Sequence, residues 1–349
     1  MRHQIVNEDL ERILATDLPW SEFAGKTILI TGVNGFLPAY IAETFLYFNE
    51  KISSEKIKII GLARNRARAE NRFSSYHGRS DLKLIIQDVC TPIILEDGID
   101  YIIHAASQAS PKYYSKDPVG TLSANILGTC NLLKLAQYNS VEGFLFFSSG
   151  EVYGEVATSQ IPTKESDYGY IDPTNIRSCY GESKRMGETM CVSWFHQYGV
   201  PTKIVRPFHT YGPGMSLDDG RVYADFVADI LNHRDIVMKS DGSAIRAFCY
   251  LADAVQGFLT VLLKGDKGQA YNIGNDHCET SIFDLACKLT NLFPEKKSRV
   301  VKQDVVQSTE YLRSSILRNC PDISKVRMLG WQPTTSIDEG FRRTIRSFL

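Results

Sequence analysis

Residues 26–31 (KTILIT) are a short apolar run of strand type, and the run breaks at once into Gly32-Val33-Asn34-Gly35-Phe36-Leu37-Pro38. A helical stretch follows to about residue 49. Few folds accommodate a buried strand, a glycine turn and a helix in that order. The arrangement suits a dinucleotide pyrophosphate. Gly32 permits the tight turn and Gly35 lets backbone approach the phosphates. The helix N-terminus, with Asn34, Phe36 and Leu37 around it, supplies oriented N–H groups. A third glycine for close helix–strand packing would fall on Pro38, which a first helical turn tolerates.

The rest of the chain repeats strand and helix. Strands are expected at 56–63, 82–87, 99–104, 143–148 and 202–205, with a long helix at 117–139 that turns Asn125 inward and another at 179–199. That alternation predicts an α/β fold, a Rossmann-like doubly wound parallel sheet with ligands at the carboxyl ends of its strands. Residues 1–24 read as an N-terminal helical extension, with a helix at 7–16 capped by Asn7 and placed outside the core or on a partner. Residues 25–213 read as mainly the NAD(P)-binding domain. Residues 214–349 read as mainly a smaller substrate lobe, interleaved with the last strands and carrying the basic points Arg221, Arg246, Arg313 and Arg318. Residues 155–178, rich in Thr, Ser, Asp and Pro, read as a loop over the site.

The 39 basic and 40 acidic side chains nearly balance over 349 residues, so no electrostatic case exists for nucleic acid or membrane binding. No apolar run approaches the roughly 20 residues that span a bilayer. The opening residues lack the apolar core of a signal peptide, and the expectation is a soluble, cytoplasmic protein. Eight cysteines form no Cys-x-x-Cys pair and seven histidines show no ligand spacing, so no metal site is expected.

The second strand ends without an acid for a ribose 2′-hydroxyl. Arg64, Arg66 and Arg68 stand there instead, and Arg64 is suited to a 2′-phosphate, which favours NADP(H) over NAD(H). Asp88 and Val89 follow the third strand at the adenine end. Ala105, Ala106 and Ser107 follow the fourth, small enough for a nicotinamide ribose to approach. The fifth strand runs into Ser148-Ser149-Gly150-Glu151, and Tyr180 and Lys184 follow four apart, on one helix face. A lysine beside a phenol favours the phenolate and lowers its pKa. With the Ser149 hydroxyl, the pair suits proton exchange with an alcohol while hydride leaves or joins its carbon. His209, in a turn-rich loop after the sixth strand, is placed to line a sugar pocket.

Taken together, TGVNGFLP, HAAS, FFSSGEVYG, YGESK, RPFHTYGP, RAFCYLAD and LGWQP resemble the extended short-chain dehydrogenase/reductases that modify nucleotide sugars. The likeness runs from about residue 25 to the C-terminus. RSCYGESKRMGETM and DDGRV are most similar to the UDP-glucuronate decarboxylases, and the dTDP-glucose 4,6-dehydratases are similar at a greater distance. The resemblance implies Tyr180 as acid/base at ring carbon 4, Lys184 tuning it and binding the nicotinamide ribose, and Ser149 aiding proton transfer. It implies Arg221 and Arg246 at the diphosphate of a UDP- or dTDP-linked sugar; Glu151 is read as a base at ring carbon 5, an orienter of substrate or the structural partner of a nearby basic group, and Ser107 and Gly150 as substrate-binding. It also implies a homodimer through the two long helices.

Three departures bear on chemistry. Gly150 stands where the dehydratases carry an Asp. Asn319 stands where the decarboxylases carry a carboxylate-binding Arg, with Arg318 next door. His209 stands where relatives usually have Asn. The first functional expectation is therefore a 4-keto-sugar reductase or dehydrogenase in surface-polysaccharide (O-antigen) sugar synthesis. A UDP-glucuronate decarboxylase, a 4-epimerase and a catalytically silent nucleotide-binding protein are the alternatives.

Overall fold

The computed structural model describes residues 2–51, 55–95, 98–302 and 316–349, so Arg313 lies outside the described residues. Among the described residues thirteen strands follow in chain order. They are β1 (Thr27–Thr31), β2 (Lys58–Ala63), β3 (Leu82–Ile86), β4 (Tyr101–His104), β5 (Gly143–Phe147), β6 (Thr202–Pro207), β7 (His209–Tyr211), β8 (Ile236–Met238), β9 (Ile245–Tyr250), β10 (Ala270–Ile273), β11 (Glu279–Ser281), β12 (Val300–Lys302) and β13 (Arg318–Asn319). Seven of them make one sheet in the order β10-β6-β5-β4-β1-β2-β3, and every pairing in it is parallel. Its central strands read TILIT and GFLFF and are buried along nearly their whole length, as a sheet covered on both faces requires. The order reverses between β1 and β4, which opens a crevice beyond their carboxyl ends.

Among the described residues eleven α-helices surround the sheets. They are α1 (Gln4–Leu14), α2 (Phe36–Lys51), α3 (Arg66–Arg72), α4 (Lys112–Lys116), α5 (Pro118–Asn139), α6 (Ser178–Tyr198), α7 (Val222–Leu231), α8 (Leu251–Lys264), α9 (Ile282–Leu292), α10 (Ser324–Arg327) and α11 (Ile337–Arg346). The expected α/β architecture is present, with strand ends shifted by one or two residues. β10 lies far along the chain yet completes the sheet beside β6. A second small sheet joins β7, β9, β11 and β13.

The N-terminal helix departs from expectation. It starts at Gln4, and the cap is His3, whose Nδ1 accepts from the Ile5 amide; Asn7 is inside the helix. Nor does α1 sit outside the core. Leu10 and Ile13 are fully buried, and beside them Asp9 accepts from three side chains, from Tyr250 Oη at 2.6 Å, from Arg343 Nη2 and Nε at 2.8 and 3.1 Å and from Tyr40 Oη at 3.0 Å. α1 is thereby tied to α2, β9 and α11. Burial pushes the Asp9 carboxyl up, against Tyr250 and Arg343. Truncating Arg343 strands that carboxylate. Arg343→Met is expected to cost about 3–5 kcal/mol of stability, read from urea unfolding.

Candidate active site

The loop between β1 and α2 is shaped by what cannot fit there. Gly32 has φ +66°, and a Cβ on it would lie 2.8 Å from the Ala106 Cα. Gly35 N–H donates to Gly32 O at 2.7 Å, and the chain enters α2 at Phe36 with Pro38 in the first turn. The strand ends hold one another, because the Ala106 amide donates to Thr31 Oγ1 at 3.1 Å. Ser107 Oγ is buried with no hydrogen-bond partner among the described residues. A cradle without side chains, half-buried Asn34 beside it, a helix N-terminus and an unspent hydroxyl fit a dinucleotide's pyrophosphate and ribose. At the adenosine end Arg64 lies 3.7 Å from Asp88, both half exposed. Asp88 also accepts from the Cys90 amide at 2.8 Å, and Val89 packs onto Gly128 of α5.

α6 brings Tyr180 and Lys184 to the end of β5. Both are buried. Lys184 Nζ donates to Phe147 O at 2.7 Å and lies 5.7 Å from the Tyr180 ring centre. Ser149 Oγ accepts from the Glu151 amide at 3.2 Å. Behind them Arg206, buried on β6, donates to Glu188 of α6 at 2.6 and 2.8 Å, to Tyr153 Oη at 2.8 Å and to Glu165 O at 2.9 Å. Ser148 Oγ donates to the same Glu188 at 2.5 Å. Asn125 is turned inward as expected and donates to Ser183 Oγ at 2.9 Å.

The electrostatics correct one expectation. Tyr180 is not driven toward phenolate. Burial pushes its hydroxyl up to about 12, against the Ser149 hydrogen bond and the Arg221 charge. Lys184 is itself shifted, down to about 7, because burial disfavours its charge more than Glu188 supports it. Burial of the phenol thus keeps the Tyr180 hydroxyl protonated at neutral pH.

Other expected residues fall as follows. A Cβ on Gly150 would meet the Phe208 ring at 3.2 Å, a tight contact. Glu151 faces Arg177, with Oε2 3.4 Å from Nη2. Arg221 donates to Asp219 at 2.6 Å and Ala109 O at 3.1 Å. Arg246 donates to the carbonyls of Ile245 and Ile316, both at 2.8 Å. Arg318 makes a two-pronged pair with Glu279 on β11, at 2.7 and 2.8 Å, so it is turned away from the role its neighbourhood to Asn319 suggested. Sequence reasoning missed Tyr114 of α4, whose ring stacks on Tyr180 with centroids 5.1 Å apart and planes 16° apart. Arg177 was missed too, and its guanidinium lies 5.7 Å from the Tyr114 ring. Its place three residues before Tyr180, at the helix cap, was the one available signal. Among the described residues no group of His, Cys, Asp and Glu is placed to hold a metal, and no helix is long and apolar enough to cross a membrane.

A parallel sheet, a glycine cradle at its crevice and a Ser–Tyr–Lys group at the next strand end define a dinucleotide-dependent oxidoreductase of the extended short-chain type. The profile of the NAD dependent epimerase/dehydratase family matches residues 28–274. The chain belongs to that family. It is 34% identical to UDP-glucuronic acid decarboxylase 6 of Arabidopsis thaliana over 315 residues, 90% of this chain and 86% of the relative. The fold is shared with UDP-glucose 4-epimerase of Thermotoga maritima (TM-score 0.77, 22% identity, 92% of this chain and 98% of the other). It is shared also with UDP-glucuronic acid 4-epimerase of Bacillus cereus, solved with UDP-glucuronic acid and NAD (TM-score 0.74, 23% identity, the same coverage).

The Lys184 shift has a measurable sign. The unfolded chain, with an ordinary lysine near 10.5, holds more protons than the folded one between about pH 7 and 10.5. This residue's contribution to stability therefore rises with pH across that window. In urea unfolding from pH 7 to 9, wild type is expected to gain on Lys184→Met by at most about 1.4 kcal/mol per pH unit.

Proposed function

We propose that the protein reduces, or in reverse oxidises, ring carbon 4 of a UDP- or dTDP-linked sugar in the cytoplasm, with a 4-keto-sugar as the oxidised partner. The nicotinamide cofactor supplies the hydride. Tyr180, kept protonated by burial, gives its proton to the ketone oxygen, and the Ser149 hydroxyl holds that oxygen. Lys184 fixes the ribose side of the site from its bond to Phe147 O. Tyr114 holds the plane of the Tyr180 ring. Proton delivery by such a group is worth about 10²–10⁴-fold in rate.

The observation that carries the reductase reading is the Arg318–Glu279 pair. With Asn319 beside it, it leaves the place of a carboxylate-binding arginine without a guanidinium, so nothing at that place favours a uronate. Decarboxylation of UDP-glucuronate remains the second reading. It is favoured by the 34% identity to the Arabidopsis decarboxylase over most of both chains. Incubation with dTDP- or UDP-4-keto-6-deoxyglucose and NADH or NADPH is expected to consume reduced cofactor. Tyr180→Phe is expected to lower that rate by about 10²–10⁴ while cofactor still binds. Release of UDP-xylose from UDP-glucuronate with no ketosugar reduction would replace the first reading by the second.

On the cofactor, two observations set NAD(H) ahead of the NADP(H) expected from Arg64. Asp88 sits against the Arg64 guanidinium and offsets the charge a 2′-phosphate would need, and the Bacillus cereus neighbour carries NAD. The homodimer reading is supported by apolar side chains that α5 and α6 leave exposed, among them Val119, Leu127, Tyr138, Met186 and Val192. Native mass spectrometry reads both points. Twice the chain mass with NAD released on denaturation is expected. A monomer removes the dimer, and a preference for NADPH restores the first cofactor expectation.

A further inference from the structure

The N-terminal helix α1 opens on a cavity of about 200 Å³, the room of about six waters at roughly 30 Å³ each. Its walls come from both halves of the fold: Arg2 and His3 at the start of α1, Glu43 on α2, Arg72 on α3, Tyr76 in the turn after α3, and Gly214 beyond β7. None of the residues read above as cofactor- or substrate-binding lines it. Two buried donors in these walls are unspent. Arg2 Nη1 and Tyr76 Oη make no hydrogen bond among the described residues, and Tyr76 is only 5% exposed. Leaving a buried donor unpaired costs about 1–3 kcal/mol.

The rest of the Arg2 group is held in place. Its Nη2 donates to Glu50, and the guanidinium lies 4.8 and 5.6 Å from the ring centres of Tyr47 and Tyr76. His3 adds a third donor: its Nδ1 accepts from the Ile5 amide at 3.1 Å, so the neutral ring carries its proton on Nε2. The carboxylates, by contrast, are taken. Both oxygens of Glu43 accept from Arg72, at 2.7 and 2.8 Å, which offsets that charge. Tyr76 Oη supports the Glu43 charge from beyond hydrogen-bond distance. Glu50 serves Arg79, at 2.5 Å, as well as Arg2. The first turn of α1 contributes the positive end of its macrodipole. Spare donors beside engaged carboxylates suit a ligand that only accepts, an ionised oxyanion.

We propose that this cavity is a second ligand site of the protein, one that binds a small oxyanion group, a phosphate or a carboxylate, through Arg2 Nη1 and Tyr76 Oη. Its bound anion joins the start of α1 to the turn after α3. Because α1 is also held by Asp9 to α2, β9 and α11, the ligand fixes the N-terminal helix across both halves of the fold. Occupancy therefore shows as stability of the whole chain.

Thermal unfolding and calorimetric titration of the full chain test this, with inorganic phosphate and succinate as probes against chloride at equal ionic strength and neutral pH. Wild type is expected to show a saturable rise in Tm with at least one probe and none with chloride. A response to phosphate alone assigns a phosphoryl ligand, to succinate alone a carboxylate ligand, and to both a general oxyanion site. Arg2→Gln and Tyr76→Phe are each expected to weaken the Kd of that probe by about tenfold or more. Tyr76→Phe removes a single oxygen that holds no partner, so it keeps the test open if Arg2→Gln unfolds the start of α1. No saturable response to either probe, or a response unchanged in either folded variant, overturns the proposal; an unchanged response belongs instead to the glycine cradle after β1.

Discussion

The buried Arg206 guanidinium organises the catalytic end of the molecule. It meets the Glu188 carboxylate on two prongs, and its remaining donors go to Tyr153 Oη and Glu165 O. Tyr153 passes a hydrogen bond on to Asn272 Oδ1 at 2.5 Å, and Asn272 Nδ2 reaches Thr163 O and Asp322 O at 2.9 Å. One cation on β6 therefore joins the helix that carries Tyr180 and Lys184, the turn after Ser149, the loop above the site, β10 and the C-terminal segment. Burying that charge is unfavourable unless every partner is in place. The network thus specifies one arrangement of these elements more than it adds net stability.

Glu188 is one helical turn beyond Lys184, and without Arg206 it would be the natural salt-bridge partner of the lysine. Because Arg206 takes both carboxylate oxygens, Lys184 is left with a backbone carbonyl and the faces of Phe146 and Tyr180. Burial therefore outweighs the support Glu188 gives the Lys184 charge. On the other side, Tyr114 and Arg177 stack in succession over Tyr180, and Arg177 faces Glu151. The Tyr180 phenol sits at the end of that stack.

Membership of the family does not choose the reaction, since one fold serves several chemistries. The departures at single positions are each embedded in packing. Phe208 packs close over Gly150. Glu279 holds Arg318 on the β11 side. Phe248 packs against the histidine that stands in place of an amide.

What could be read from the chain alone was local. The β1–glycine–α2 unit, the parallel alternation and the shared face of Tyr180 and Lys184 follow from neighbours a few residues apart, because strand burial and helical spacing are short-range properties. The charge state of Tyr180 was not readable. It depends on desolvation by elements distant in sequence, and the expected sign was the wrong one. The docking of α1 hangs on Asp9 meeting Arg343, and the stack on Tyr180 hangs on Tyr114. The sequence by itself determined the class of fold and set Tyr180 and Lys184 on one helix face. Only the tertiary structure decided which charges those residues face, because a charge acts through space and its partners are chosen by the packing of the whole chain.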